Sequence, residues 1–111
     1  MSKNRIDSAF KPSSVALIGA SERPGTLGNQ VRTNLASAGF QGPVYYVNPG
    51  HDTVAGQRSY RSVRDLPGPV DLAVIVTPAA TVPAVVGECG ERGVRGVVVV
   101  SAGFRELGPA G

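Results

Sequence analysis

The residues best suited to chemistry lie in a glycine-rich segment that follows a short apolar run. The segment is Gly19-Ala20-Ser21-Glu22-Arg23-Pro24-Gly25-Thr26-Leu27-Gly28, and the run before it is Val15-Ala16-Leu17-Ile18. A strand that turns through glycines into a helix offers a phosphate free N–H groups and the positive end of the helix dipole. The usual G-x-G-x-x-G spacing is not kept, because Ser21 replaces the second glycine and Gly25 and Gly28 come late. The segment therefore predicts an anion-binding loop, but it weakens an NAD interpretation.

The end of the second predicted strand helps to separate the nucleotides that such a loop could bind. NAD-binding proteins usually carry an acidic residue there, which binds the ribose hydroxyls. This chain has Asn48 followed by Pro49, so the ribose loses its charged partner. NADP stays open, since an arginine such as Arg58 could meet an additional phosphate. We keep an NAD(P)-binding oxidoreductase half as the weaker alternative.

Short apolar runs and helical patterns predict the elements that position these residues. We predict strands over Ser14–Gly19, Val44–Val47, Asp71–Val76 and Val97–Ser101, with helices over Thr26–Ala38 and between Thr81 and Gly93. Residues 51–70 show no regular pattern. Strands that alternate with helices indicate an α/β, Rossmann-like parallel sheet. We expect the spatial order 3-2-1-4, with ligands at the carboxyl ends of the strands.

Composition limits the classes of protein to consider. The chain has 111 residues, 41% of them hydrophobic, one cysteine and a formal net charge of +3. This length suits one domain with a modest core. Scattered basic residues without an aromatic platform disfavour nucleic acid as a partner. One cysteine, no secretory signal and no long apolar run favour a cytoplasmic protein without a membrane partner.

Five ordered motifs carry a resemblance to a known family. They are Ser14–Ser21, Pro24–Gly28, Val47–Pro49, Val74–Ala79 and Ser101–Phe104. Together they resemble the N-terminal CoA-binding domain of the nucleoside-diphosphate-forming acyl-CoA synthetases, such as ADP-forming acetate–CoA ligase. These enzymes are related to the succinyl-CoA synthetase α subunit. The same domain begins certain bacterial protein lysine acetyltransferases, so a regulatory domain of that kind is a second alternative.

The resemblance implies which residues contact CoA. Those implied for the phosphates are Ser21, Arg23, Pro24, Gly25 and Thr26, with Arg23 and Pro24 shaping the loop. Gly19, which opens the same glycine-rich segment, is assigned to the CoA site with them. Those implied for adenosine are Val47, Asn48 and Pro49; for pantetheine Val76, Thr77 and Pro78; and for the thiol end Ser101, Ala102 and Gly103. Relatives often carry a lysine just after the Asn-Pro pair, whereas this chain has Gly50-His51. Arg23, Arg58 or an arginine from elsewhere is therefore open as the cation for the 3′-phosphate.

The resemblance also implies a division of labour between domains. The family's phosphohistidine, and the portion that handles ATP or ADP with Mg, are absent from this sequence. We expect a lead-in over residues 1–13 and a truncated CoA-binding domain over residues 14–111. The expected partners are CoA or acyl-CoA and the remaining domains or subunits of the parent enzyme. No residue of this chain is expected to be catalytic or to bind a metal, so the chain alone should bind CoA and catalyse nothing.

Several residues also have a simpler structural interpretation. Ser21 could cap the first helix instead of contacting a ligand. Arg58, Arg61 and Arg64 are interpreted as a solvated surface. Cys89 falls on the apolar stripe of the second helix, which predicts a packed core residue. His51 is expected to be an exposed turn residue.

Overall fold

Helices lie on both faces of a six-stranded sheet in the computed structural model, which describes residues 12–100. The strands are β1 (Val15–Ile18), β2 (Val44–Val47), β3 (Thr53–Val54), β4 (Gln57–Tyr60), β5 (Leu72–Ile75) and β6 (Gly96–Val99). The α-helices of this part of the chain are α1 (Leu27–Ser37) and α2 (Val82–Arg92). Short 3₁₀ turns span Val63–Asp65 and Ala79–Thr81. The predicted helices and apolar strands are all present, with ends that differ by one or two residues.

The strand order is β3-β4-β2-β1-β5-β6. Neighbouring strands are parallel throughout, except for the antiparallel hairpin of β3 and β4. β1 lies at the centre, where Val15 is in register with Val44 on one side and Leu72 on the other. Because parallel strands all end at the same edge, this arrangement confirms the predicted Rossmann-like α/β class and gathers the loops after β1, β2 and β5.

The predicted position of the strand at residues 71–76 is wrong. The predicted order 3-2-1-4 places it beyond the second strand, but β5 pairs with β1 on the side away from β2. The same order places the strand at residues 97–101 beside the first strand, whereas β6 pairs with β5 at the edge of the sheet. The place beside β2 belongs to β4, a strand within the segment that shows no regular pattern. Gln57 and Arg58 are exposed, so β4 lacks the apolar run by which the other strands were predicted. The apolar β5 is almost entirely buried, as an interior strand must be.

Alternate residues along the strands lie on opposite faces of the sheet and pack into two separate cores. Ala16, Ile18, Ala73 and Ile75 face α2, which contributes Val82, Val85 and Cys89. On the other face Val15, Leu17 and Val74 pack with Val31 and Leu35 of α1. The helix stripes therefore pack as their spacing predicts, although Val86 at the margin of the α2 stripe is 39% exposed. The two layers fix both helices, and with them the loops that precede each helix.

Candidate functional site

The predicted anion-binding loop, residues 19–26 (the anion loop), leaves β1 through Gly19. Any other residue at this position would be strained. Gly19 has φ +100°, and a Cβ built on it would lie 2.8 Å from Cγ2 of Val76. The Gly19 N–H donates to the carbonyl oxygen of Val47 at 2.8 Å. The start of the loop is thereby fixed against the ends of both neighbouring strands.

The hydroxyl groups of the loop hold its backbone. Oγ1 of Thr26 accepts a hydrogen bond from the N–H of Asn29 at 3.2 Å and donates to the carbonyl oxygen of Arg23 at 2.7 Å. Oγ of Ser21 accepts from the N–H of Arg23 at 3.0 Å. Thr26 is therefore the N-cap of α1, and the alternative in which Ser21 caps that helix is wrong.

Asn48 joins the loop after β1 to the turn after β2. Its Nδ2 donates to the carbonyl oxygen of Ala20 at 2.8 Å, and its Oδ1 accepts from the N–H of Gly50 at 2.8 Å. An aspartate could make only the second of these bonds, because a carboxylate has no N–H to donate. The amide that replaces the acidic residue of NAD-binding proteins thus has a structural task of its own.

A cavity of about 450 Å³, the main cavity, opens at the carboxyl ends of β1, β2 and β5. The structure brings together there seven of the residues predicted from the sequence: Gly19, Val47, Asn48, Pro49, Val76, Thr77 and Pro78. Oγ1 of Thr81 lies 2.8 Å from Oγ1 of Thr77, in a hydrogen bond at the cavity wall. Apolar side chains with a few convergent polar groups are typical of a small-molecule site.

The opposite wall of this cavity was missed by the sequence interpretation. It contains Arg61, Ser62 and Val63, which follow β4, and Val85 and Glu88 of α2. Oγ of Ser62 donates to Oε1 of Glu88 at 2.8 Å. Recognising β4 as a strand would have found Arg61, Ser62 and Val63, since residues that follow a parallel strand lie at its carboxyl end.

A second, smaller cavity of about 290 Å³ lies beside the anion loop. It is lined by Ser21, Glu22, Arg23, His51, Thr53 and Val54. Oε1 of Glu22 accepts from the N–H of Ala55 at 2.7 Å, which ties the loop to the β3–β4 hairpin. His51 is exposed, as predicted, yet it lines the same cavity as Arg23. The cavity thus brings together one imidazole, one guanidinium and the carboxylate of Glu22.

The remaining predicted site residues lie apart from both cavities or beyond the described chain. Pro24 and Gly25 are exposed at the tip of the loop, and Thr26 lies half-buried at its end. These three line neither of the two cavities. Ser101, Ala102 and Gly103 lie outside the described residues.

The surroundings differ among the three arginines Arg58, Arg61 and Arg64. The Arg58 guanidinium lies 5.0 Å from the centre of the Tyr60 ring, a cation–π distance. Arg64 forms an exposed salt bridge of 2.9 Å with Glu91, and this contact raises the pKa of Arg64. Arg61 lines the main cavity. All three arginines are exposed, as the solvated-surface interpretation predicts, and Arg61 also lies at the wall of a cavity.

Cys89 is a core residue, as predicted. It is 1% exposed. Burial raises the pKa of its thiol, and the negative charge of Glu88 raises it further. Across residues 12–100, no three histidine, cysteine, aspartate or glutamate side chains are grouped as a metal site requires. The helices in that range are all too short or too polar to cross a bilayer.

Comparison with known families gives a match over almost the whole chain. Residues 13–106 match the family model described as CoA binding domain. The α subunit of ADP-forming acetate–CoA ligase I from Pyrococcus furiosus is 44% identical over 110 residues, which cover 96% of this chain and 24% of that protein. The ADP-forming 4-hydroxybutyrate–CoA ligase of Nitrosopumilus maritimus is 42% identical over 102 residues, covering 92% of this chain and 14% of that protein.

A solved structure shows the same fold. The dinucleotide forming acetyl-coenzyme A synthetase 1 of Ca. Korarchaeum cryptofilum, in its apo form, matches with a TM-score of 0.81 and 43% identity. The match covers 93% of this chain and 22% of that one. The chain thus spans less than a quarter of the length of these relatives.

Proposed function

The chain belongs to the CoA binding domain family, and we propose that it binds CoA at the carboxyl ends of β1, β2 and β5. The observation that carries this proposal is the main cavity. Residues from three separate motifs of the sequence line it, among them Gly19, Asn48 and Thr77. A site that collects the predicted motifs at the ligand-binding edge of a Rossmann-like sheet is the arrangement that a nucleotide-containing ligand needs.

The anion loop supports a place for the phosphates of CoA. The loop runs from Gly19 to the N-cap Thr26, so its backbone leads directly to the N-terminus of α1. The N–H of Asn29 is bonded to Oγ1 of Thr26, whereas the N–H groups of Leu27 and Gly28 have no acceptor within the helix, and the dipole favours negative charge there. The pyrophosphate of CoA is therefore assigned to this loop, with Ser21, Pro24 and Gly25 shaping its backbone and Thr26 ending it.

The 3′-phosphate of CoA is assigned to the smaller cavity beside the loop. Arg23 and His51 line it together, and the hydroxyl-bearing Ser21 and Thr53 lie on the same walls. Arg58 is a weaker choice, because its guanidinium already lies over the ring of Tyr60. Arg23 can supply two parallel N–H donors to a phosphate, which a lysine cannot.

The adenosine and pantetheine parts of CoA are assigned to the main cavity. Val47 and Pro49 offer apolar contacts on the side of β2, and Val76 and Pro78 on the side of β5. Arg61 and the Ser62–Glu88 pair supply the polar wall opposite them. Ser101, Ala102 and Gly103 stay assigned to the thiol end on the resemblance alone.

We further propose that the domain belongs to an ADP-forming acetate– or acyl-CoA ligase. The support is the similarity to relatives that are named as such and are much longer than this chain. Binding of ATP or ADP with Mg, and the chemistry itself, are assigned to the rest of the parent enzyme. On the described surface, Val97, Val98 and Val99 of the edge strand β6 are 39–47% exposed, which suits a face that other domains or subunits cover.

Calorimetric titration of the 111-residue chain tests the proposal. We expect CoA to bind more tightly than dephospho-CoA, and NAD⁺ to bind most weakly. Arg23→Ala should reduce the affinity for CoA about tenfold and leave that for dephospho-CoA nearly unchanged, because a charged hydrogen bond contributes about 1.5 kcal/mol or more. Equal affinity of the folded chain for CoA and NAD⁺ would refute CoA specificity, and an equal loss for both CoA forms would remove Arg23 from the 3′-phosphate.

A further inference from the structure

A closed ring of side-chain hydrogen bonds lies beneath the anion loop, and Arg32 of α1 completes it. Nε of Arg32 donates to the carbonyl oxygen of Ser21 at 3.0 Å, and its terminal nitrogen donates to Oδ1 of Asn29 at 2.6 Å. The N–H of Asn29 donates to Oγ1 of Thr26, whose hydroxyl donates to the carbonyl oxygen of Arg23. The N–H of Arg23 donates to Oγ of Ser21, which closes the ring at Ser21.

The position of Arg32 separates it from the cavities assigned to CoA. It lines a third cavity, of about 260 Å³, whose walls include Leu35 and Phe40 on the α1 face of the sheet. It lines neither the main cavity nor the one beside the loop. Arg32 therefore reaches the loop from the helix side, behind the surface that would meet the phosphates.

The bonds of Arg32 bear directly on how the loop can receive an anion. A guanidinium presents its N–H donors in a rigid plane, so Arg32 fixes Ser21 and Asn29 relative to each other. The carbonyl oxygen of Ser21 is directed toward Arg32. A carbonyl oxygen released from that contact could turn toward the phosphates and repel them. A loop already fixed in its binding conformation also loses less entropy when a ligand binds.

We propose that Arg32 is a positioning residue for the phosphates of CoA: it orders the anion loop from behind without touching the ligand. This inference rests on the proposed function, since it assigns the loop to phosphate binding. A merely structural role for Arg32 would predict reduced stability with an unchanged loop and unchanged affinity once the chain is folded. A positioning role predicts a mobile loop and weaker CoA binding in a chain that is still folded.

The variants Arg32→Gln and Arg32→Lys test the proposal, with Arg64→Gln as the control. Arg64 is an exposed arginine bonded to Glu91 that lines none of the three cavities, so its replacement makes the same change of net charge outside them. In the absence of ligand, NMR order parameters of residues 21–26 should fall in Arg32→Gln and stay unchanged in Arg64→Gln. The affinity for CoA should fall roughly tenfold in Arg32→Gln and less than twofold in the control.

Arg32→Lys separates charge from geometry. A lysine keeps the positive charge but cannot supply the planar pair of donors, so the loop should stay mobile and CoA affinity should remain reduced. Full recovery by lysine would mean that charge alone matters and would overturn positioning. Asn29→Leu removes the acceptor for Arg32 without a change of charge and should resemble Arg32→Gln.

The readouts distinguish failure of this inference from failure of the proposed function. If the wild-type chain does not bind CoA, the proposed function fails, and the order parameters still report whether Arg32 orders the loop. If the wild type binds CoA and Arg32→Gln shows the same affinity and the same order parameters, the positioning role is refuted. If both Arg32 variants fail to fold, the residue serves the whole fold, and a role specific to the loop is likewise refuted.

Discussion

Gly28, in the first turn of α1, lies directly against the backbone of Gly19, at the end of β1. A Cβ built on Gly28 would lie 2.1 Å from the carbonyl oxygen of Gly19 and 3.3 Å from Cβ of Ser21. The first atom is backbone and cannot move without shifting the strand end. The glycine spacing that departs from the dinucleotide-binding fingerprint therefore still supplies the close packing of helix on strand that a phosphate loop requires.

Gly28→Ala should destabilise the chain. The added methyl must displace either the start of α1 or the end of β1, and such overpacking costs about 1–3 kcal/mol. Gly90→Ala is the matched control, because nothing lies within 4 Å of a Cβ built at that helical position. Alanine there should add stability of up to about 1 kcal/mol through helix propensity. Urea unfolding measures both, and equal effects of the two substitutions would contradict the close packing at Gly28.

Asn48→Asp should lower both stability and CoA affinity. The carboxylate cannot donate to the carbonyl oxygen of Ala20, so two oxygen atoms would face each other at the present distance of 2.8 Å. Loss of the bond and the resulting repulsion should cost about 1–3 kcal/mol in the free energy of unfolding. Asn34→Asp, on the exposed surface of α1, makes the same change of charge as a control. A rise in NAD⁺ affinity in Asn48→Asp without loss of stability would refute the bridging role.

Arg61→Ala should weaken CoA binding, and Arg64→Ala should not. Arg61 lines the main cavity, whereas Arg64 is bonded to Glu91 on the surface. The expected loss for Arg61 is about tenfold, the size of one charged hydrogen bond. Calorimetry on both variants measures the difference. Equal affinities of the two variants for CoA would exclude Arg61 from the site.

The thiol of Cys89 should react slowly in the folded chain. Burial raises its pKa, and the thiolate is the reactive form, so a disulfide reagent at pH 8 should react at least roughly tenfold more slowly than in urea. Because the folded pKa lies above the unfolded one, the stability contributed by the neutral thiol is fully present below the unfolded pKa. It is lost as pH rises through the folded value. Equal reaction rates in the folded and unfolded chain would show that Cys89 is accessible.

The elements that could be predicted from the sequence are those with a strong apolar signal. β1 and β5 are continuous apolar runs, and α1 and α2 carry apolar residues at helical spacing, so both the elements and the fold class follow. The strand Gln57–Tyr60 has no such run, because part of it faces solvent. Because β4 was not predicted, β5 was misplaced in the sheet, and Arg61, Ser62 and Val63, which follow β4, were absent from the predicted site.

The residue that caps α1 could not be predicted from the sequence. Motifs predict that Ser21 and Thr26 belong to the anion loop, but residue type alone does not say which hydroxyl caps α1. The geometry assigns the cap to Thr26 and leaves Ser21 to hold the turn at Arg23. Arg32 belongs to none of the predicted motifs. Its contact with the carbonyl oxygen of Ser21 depends on the three-dimensional path of its side chain, which the sequence pattern does not give.

The central claim is that CoA binds with its pyrophosphate at the anion loop, its 3′-phosphate in the smaller cavity beside the loop, and its adenosine and pantetheine parts in the main cavity. Mapping the amide shifts of the 111-residue chain during a CoA titration by NMR tests this claim most directly. We predict that the largest changes fall at residues 19–26, 47–51, 61–63 and 76–78, with little change at the far ends of α1 and α2. Saturable changes centred on β6, or none at all in a chain shown to be folded, would contradict it.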